Sequence, residues 1–180
     1  MLANKQNCFD DFNSCAEWLI KEKYTTPDKI VAQGGSNGGL LMGGIAVQRP
    51  DLYKAIVCAV PLLDMLRFHK FLIARYWIPE YGCADNDADF RWLLEYSPYQ
   101  NLRIGVNMPT MLVTAGANDS RVDPLHAKKF VAAAQNNDGQ INPVILHMDF
   151  KSGHGSGQST AHRIDNWTFI FEFVLNQLGL

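Results

Sequence analysis

The chain has 180 residues, a formal net charge of -2, and 47% hydrophobic, 11% aromatic and 19% charged side chains. That length suits one well-buried core rather than two ordinary domains, and the composition excludes a disordered chain. Neither sign of charge forms a run, which argues against nucleic acid or an anionic membrane as partner, and no apolar stretch approaches the roughly 18 residues of a bilayer span.

The start, MLANKQNCFDD, lacks a basic segment followed by an apolar one, so a cytoplasmic location is expected. Apolar positions Phe9, Phe12, Ala16, Leu19 and Ile20 predict a helix with one buried face over 9–20. After the turn signal TTPD, KIVAQ reads as a short strand. NGGLLMGGIAVQ is apolar nearly all round and stops before Pro50, the pattern of a buried helix whose small residues allow close packing on a sheet. AIVCAVP, TMLVTAG and PVILHMDF read as three more buried strands, and PLHAKKFVAAAQNN and AHRIDNWTFIFEFVLNQL as helices. Strands separated by helices imply parallel pairing through crossovers. The expected fold is therefore α/β, a mostly parallel sheet with helices on both faces and catalytic groups at the carboxyl ends of the strands.

Residues 64–104 break this alternation and concentrate Tyr76, Trp77, Tyr81, Trp92, Tyr96 and Tyr99 between two strands. Such an excursion either walls a pocket or is plain helix packing. Cys8, Cys15, Cys58 and Cys83 show no CxxC or other metal-ligand spacing and are read as reduced thiols, with Cys58 in the core. No metal or cofactor is expected.

Gly34-Gly35-Ser36-Asn37-Gly38 fits G-x-S-x-G between a predicted strand and a predicted helix. In such a nucleophile elbow the serine takes a strained backbone conformation, glycines flank it where a β-carbon would collide, and the next N–H, that of Asn37, faces a developing oxyanion. A phosphate loop is the competing reading, but it requires a lysine beside the hydroxyl or G-x-G-x-x-G with an acidic residue ending the next strand. Residues 34–44 hold no lysine, and the next strand offers only a late Asp64.

A nucleophilic serine needs a base and an orienting acid, in the chain order Ser, Asp/Glu, His. Asp119 and Asp123 follow the TMLVTAG strand, and His154 lies between glycines just after PVILHMDF, all beyond strand ends. Asp119 is nearer its strand, while Asp123 precedes Pro124 and suits a helix cap, so Asp119 is preferred. His69, His126, His147 and His162 fall on helices or within a strand and are assigned to packing or surface.

The motifs GGSNGGLL, DMLRFHKF, TAGANDSRVDPLHAKKF and SGHGSG, in this order, with LANKQNCFDDF near the start, resemble the catalytic domain of the prolyl oligopeptidase family over nearly the whole chain. The resemblance implies an α/β-hydrolase fold and a serine peptidase that cuts short peptides after proline through an acyl-enzyme, with no cofactor. It places the triad on Ser36, Asp119 and His154, one oxyanion donor on Asn37 and a carbonyl-binding guanidinium on Arg121. It lines a proline pocket with Trp77, Tyr81 and Val122. Complete members are several times longer. They carry a β-propeller, further strands before the first helix, and a tyrosine that supplies a second oxyanion donor. Residues 1–180 are thus expected to be one partial catalytic domain, whose partners would be that upstream segment, the propeller and proline-containing peptides. The alternative is an inactive remnant that binds through a bare edge strand.

Overall fold

Four parallel strands, β1 (Val31–Gly35), β2 (Ala55–Ala59), β3 (Thr110–Gly116) and β4 (Val144–Asp149), lie side by side in sequence order in the computed structural model. The structure describes residues 1–155 and 158–180; Ser156 and Gly157, which end the SGHGSG motif, lie outside the described residues. Among the described residues six α-helices accompany the sheet: α1 (Gln6–Lys21), α2 (Asn37–Gln48), α3 (Ile78–Tyr81), α4 (Asp87–Tyr96), α5 (Leu125–Gln135) and α6 (Thr160–Leu178). The register pairs Gly35 with Ala59, Ala59 with Thr114 and Thr114 with His147. The carboxyl ends of the strands are therefore level, and the loops after β1, β3 and β4 leave the sheet on one edge.

Side chains alternate across the sheet, so each strand feeds two cores. Ile56, Cys58, Met111 and Val113 join the main cluster with Phe9 of α1, Leu40 of α2 and Phe130 of α5. Val57 and Leu112 point the other way and are also fully buried. α6 lies over that second face, where its Phe169 ring meets His147 at 4.5 Å. The cover is incomplete: Gln33 on β1 and Ile145 on β4 are exposed, and α6 itself buries no residue fully. Trp167, Phe171 and Ile164 of α6 face outward.

The glycines of α2 pack it on the sheet, as expected, and on other neighbours too. A Cβ on Gly44 would lie 2.3 Å from the Phe9 ring, and one on Gly43 2.3 Å from a Leu63 methyl. These two admit α1 and the segment after β2, while Gly39 lets α2 approach the end of β2, where its Cβ would lie 2.8 Å from Ala59 O. Phe9 is fully buried as a result, which stabilises the α1–α2 contact by about 1.5–3 kcal/mol.

The aromatic excursion is anchored beneath α5. His126 Nδ1 accepts hydrogen bonds from the Leu63 and Asp64 N–H groups at 3.3 and 3.1 Å, and Lys129 pairs with the buried Asp64. Burial pushes the His126 imidazole down to about 4. Its pKa is lower folded than unfolded, so its stabilising contribution is present above the unfolded value of about 6.5 and is lost as pH falls to about 4. That contribution amounts to about 3 kcal/mol. Urea unfolding at pH 7 and at pH 4 should show this loss, and a His126→Gln chain should show a smaller pH slope.

Candidate active site

β1 ends at Gly35, and the chain turns into α2 through Ser36, whose φ of 59° and ψ of -118° lie where a residue with a β-carbon is strained. The neighbouring bonds fix this turn. The Ser36 N–H donates to Ala59 O at 2.9 Å, and its carbonyl accepts from the Leu40 N–H at 3.1 Å. A Cβ on Gly34 would stand 2.5 Å from the Gly38 carbonyl oxygen, and one on Gly39 2.7 Å from Pro61 and 2.8 Å from Ala59 O. Gly38, in contrast, has open space where its Cβ would be. Of the two glycines that define the motif, only Gly34 is demanded by lack of room, and Gly39 is a third that the motif does not include.

The loop after β3 places Asp119, whose side chain is 1% exposed. Its Oδ1 accepts from the Arg121 and Val122 N–H groups at 2.8 and 2.9 Å, which leaves Oδ2 to face His154 Nδ1 at 2.6 Å. His154 Nε2 then lies 2.9 Å from Ser36 Oγ. An ionised carboxylate only accepts, so Nδ1 carries the proton and Nε2 turns a lone pair toward the serine hydroxyl. Asp123 stands apart from this relay, and its Oδ1 accepts from the Leu125 N–H at 2.8 Å at the start of α5.

The two loops touch through glycines. A Cβ on Gly116 would fall 2.2 Å from Gly153 O and 2.6 Å from Ser152 O, and the Asn118 N–H donates to Ser152 O at 3.1 Å. Beyond this contact, Asp149 Oδ1 accepts from the Lys151 and Ser152 N–H groups, while its Oδ2 lies 2.5 Å from His162 Nε2. Burial raises the Asp149 carboxyl, but the bonds from Ser152 and His162 outweigh it and hold the group well below the usual carboxylate range. His162 thus ties the first turn of α6 to the loop that carries His154.

Asn37 is the first residue of α2, and its N–H has no acceptor within the helix. Its side chain is held from two sides. Asn37 Oδ1 accepts from Lys5 Nζ at 3.2 Å and from the Tyr81 hydroxyl at 2.9 Å. Lys5 is buried, also donates to Glu80 Oε1 at 3.0 Å, and lies 5.2 Å from the centre of the Tyr81 ring. Sequence reasoning missed Lys5, because its partners lie 32 and 75 residues away and a single lysine at a helix start carries no local signal. Lys5→Met should lower unfolding stability by about 1–3 kcal/mol in chemical denaturation, since Glu80 and Asn37 lose their shared donor. Val60 was missed as well: it is β-branched yet has φ 40°, a strained conformation just after β2 and beside the elbow.

The remaining predicted residues are dispersed around the relay. Val122 and Tyr81 are buried, Trp77 is half-buried and packs against the core, and Arg121 is exposed with no carboxylate partner among the described residues. A cavity of about 160 Å3 borders His154 between the strand ends and α6, lined by Val60, Thr114, His147 and Phe169 among others. None of Trp77, Tyr81, Arg121 or Val122 lines it. Among the described residues, no helix is long and apolar enough to cross a membrane.

The chain is similar in sequence and shape to prolyl endopeptidases and prolyl oligopeptidases. A prolyl endopeptidase of Dictyostelium discoideum is 45% identical over 98% of this chain and 24% of its own length. A prolyl oligopeptidase of Omphalotus olearius is 42% identical over 100% of this chain and 25% of its own length. Among solved structures, one from a study of two prolyl endopeptidases superposes with a TM-score of 0.96 at 48% identity, covering 99% of this chain and 26% of that one. Prolyl oligopeptidase B of Galerina marginata, bound to a 35mer hydrolysis and macrocyclization substrate, gives 0.94 at 36% identity, with 99% of this chain and 26% of that one covered. The chain therefore spans about a quarter of the length of the curated relatives it matches. The model of the prolyl oligopeptidase family matches residues 1–180, and the chain, with its parallel α/β-hydrolase sheet and its elbow, belongs to that family.

Proposed function

We propose that this chain carries the nucleophile, base and acid of a serine peptidase that cleaves short peptides after proline. The observation that carries this reading is the continuous relay from Ser36 Oγ through His154 to Asp119, with bonds of 2.9 and 2.6 Å. Ser36 Oγ attacks the scissile carbonyl while His154 Nε2 takes its proton, and Asp119 stabilises the imidazolium that forms. The Asn37 N–H holds the oxyanion. His154 then returns the proton to the departing amine, which leaves an acyl-Ser36 that water hydrolyses by the same steps in reverse order. In support, substrate-bound structures of the Galerina marginata enzyme carry alanine in place of a serine, an aspartate or a histidine, in the same order and at closely similar spacing.

Specificity is assigned to the aromatic excursion. Trp77, with part of its ring accessible, would stack on the proline ring beside Tyr81 and Val122, and the unpaired Arg121 would bind the peptide carbonyls. Upstream strands of the hydrolase domain and a propeller domain are the proposed partners of this segment, the former supplying a second oxyanion donor. Absence of one such donor lowers the rate about 10²–10³-fold.

Labelling with a fluorophosphonate probe tests the nucleophile: the wild-type chain should take up label and Ser36→Ala should take up none. No label on wild type, or equal label on Ser36→Ala, overturns the assignment. A proline-containing fluorogenic peptide set against a simple ester tests specificity. Preference for the ester, with proline selectivity unmoved by Trp77→Ala, removes the pocket from the reading.

A further inference from the structure

We propose that His69, Cys83 and Asp85 form a binding site for a divalent cation of the zinc type, at the outer end of the aromatic excursion. A ring nitrogen of His69, the Cys83 sulfur and an Asp85 oxygen lie within 4.8 Å of one another. This set of one imidazole, one thiol and one carboxylate suits a tetrahedral zinc site that keeps a water in its fourth position. Cysteine spacing gave no hint of it, because the imidazole comes from a short 3-10 turn, Phe68–Lys70, and the other two ligands from the connection between α3 and α4.

The histidine is the second indication. The His69 side chain is 7% exposed, its Nε2 faces Asp85 Oδ2 at 3.3 Å, and its Nδ1 is buried without a hydrogen-bond partner among the described residues. With the carboxylate accepting from Nε2–H, Nδ1 is left with a lone pair that no donor satisfies. Cys83 is a free, partly buried thiol. A metal ion between the three groups would take the lone pair of Nε2, the nitrogen that faces Asp85, with the ring proton passing to Nδ1, which gives up no existing hydrogen bond, and would displace the thiol proton on binding.

Ligand atoms around zinc sit roughly 3.5 Å apart for bonds of about 2.0–2.3 Å, so the three groups must close by about 1 Å. The backbone of Cys83 is held by hydrogen bonds to Asp89 Oδ2 at 2.8 Å and from the Asn86 N–H at 2.9 Å, so the closing motion belongs to side chains, the Cys83 thiol turning about its χ1 and Asp85 swinging in from solvent. The Asp85 side chain is 66% exposed, and Cys83 follows Gly82, whose φ of 91° favours glycine. Lys70 Nζ, 3.4 Å from Asp85 Oδ1, is the competing cation, and its exposed side chain can swing into water. The ion would staple the segment next to the elbow: Phe68 meets the Tyr81 ring edge-on at 5.3 Å, and Tyr81 bonds the Asn37 side chain.

Titration of the full 180-residue chain with Co2+, followed by displacement with Zn2+, reads the site without reference to catalysis. One equivalent should bind with a near-ultraviolet thiolate-to-cobalt absorption that Zn2+ bleaches. Cys83→Ser should lose that absorption. His69→Gln and Asp85→Asn should each weaken affinity about tenfold or more. Cys8→Ser combined with Cys15→Ser should keep absorption and affinity. Asp85 is largely exposed, so its variant retains the fold, which circular dichroism checks. Failure of the wild type to bind one equivalent at micromolar metal, persistence of the absorption in Cys83→Ser, or wild-type affinity in Asp85→Asn would each overturn the proposal.

Discussion

Replacing His154 by alanine should slow capture of a fluorophosphonate by Ser36 about 10²–10⁴-fold, because the proton of the attacking hydroxyl then has no acceptor at 2.9 Å. The variant should still fold, since His154 is a loop residue outside the hydrophobic core. Asp119→Asn is the sharper probe. Asp119 accepts at both oxygens, from the Arg121 and Val122 N–H groups at Oδ1 and from His154 at Oδ2. An amide has only one acceptor oxygen, so its NH2 must face either two backbone donors or Nδ1–H. The first choice breaks the loop, and the second turns the imidazole to the wrong tautomer, which in a comparable triad lowers turnover about 10⁴-fold. Labelling rates at fixed probe concentration, read beside thermal melts, separate loss of chemistry from loss of fold. An Asp119→Asn chain that labels at the wild-type rate would remove Asp119 from the relay.

Gly116→Ala is expected to disable the site with no change to any of the three relay residues. The new methyl would stand 2.2 Å from Gly153 O and 2.6 Å from Ser152 O. Both obstacles are backbone atoms, so no flexible side chain can yield. The β4–α6 loop must move away from β3, and His154, one residue beyond Gly153, moves with it. A displacement of about 1 Å at a reacting group costs on the order of 10²-fold in rate, and the overpacking costs roughly 1–3 kcal/mol of stability. Gly38→Ala is the control for stability: nothing lies within 4 Å of its Cβ position, and alanine inside a helix gains up to about 1 kcal/mol over glycine. Denaturation of the two variants side by side should move stability in opposite directions.

The contrast between these two glycines shows where sequence reasoning stops. Both lie at or just beyond a strand end, and only the approach of a loop 36 residues further along makes one of them indispensable. The elements themselves were legible. The stretches NGGLLMGGIAVQ and TMLVTAG became α2 and β3 with the bounds expected for them, because apolar periodicity, Pro50 and flanking turn residues act within a few positions. Asp119 was preferred over Asp123 from its closeness to a strand end, and Asp123 was read as a cap; in the structure Asp119 faces His154 Nδ1 and Asp123 accepts from the Leu125 N–H.

Longer-range matters were not legible. Close packing of α2 on the sheet was expected from its small residues, and Gly39 meets Ala59 of β2 in that way, but Gly43 and Gly44 receive Leu63 and Phe9, partners that no local pattern named. Helices on both sheet faces were expected and are found, but that α6 leaves Ile145 exposed on the second face was not readable from the sequence. The Lys5–Asn37–Tyr81 cluster and the meeting of His69, Cys83 and Asp85 join segments with no common pattern.

By itself, then, the sequence determined the alternation of strands and helices, the strained serine between them, and the loops from which Asp119 and His154 emerge, since these rest on local backbone preferences and hydrophobic period. The tertiary structure alone decided that Asp119 Oδ2, His154 and Ser36 stand within hydrogen-bond reach, and which glycines make that possible. Parallel strands brought into level register set loops distant in sequence side by side, and hydrogen bonds between those loops fix distances that no spacing along the chain encodes.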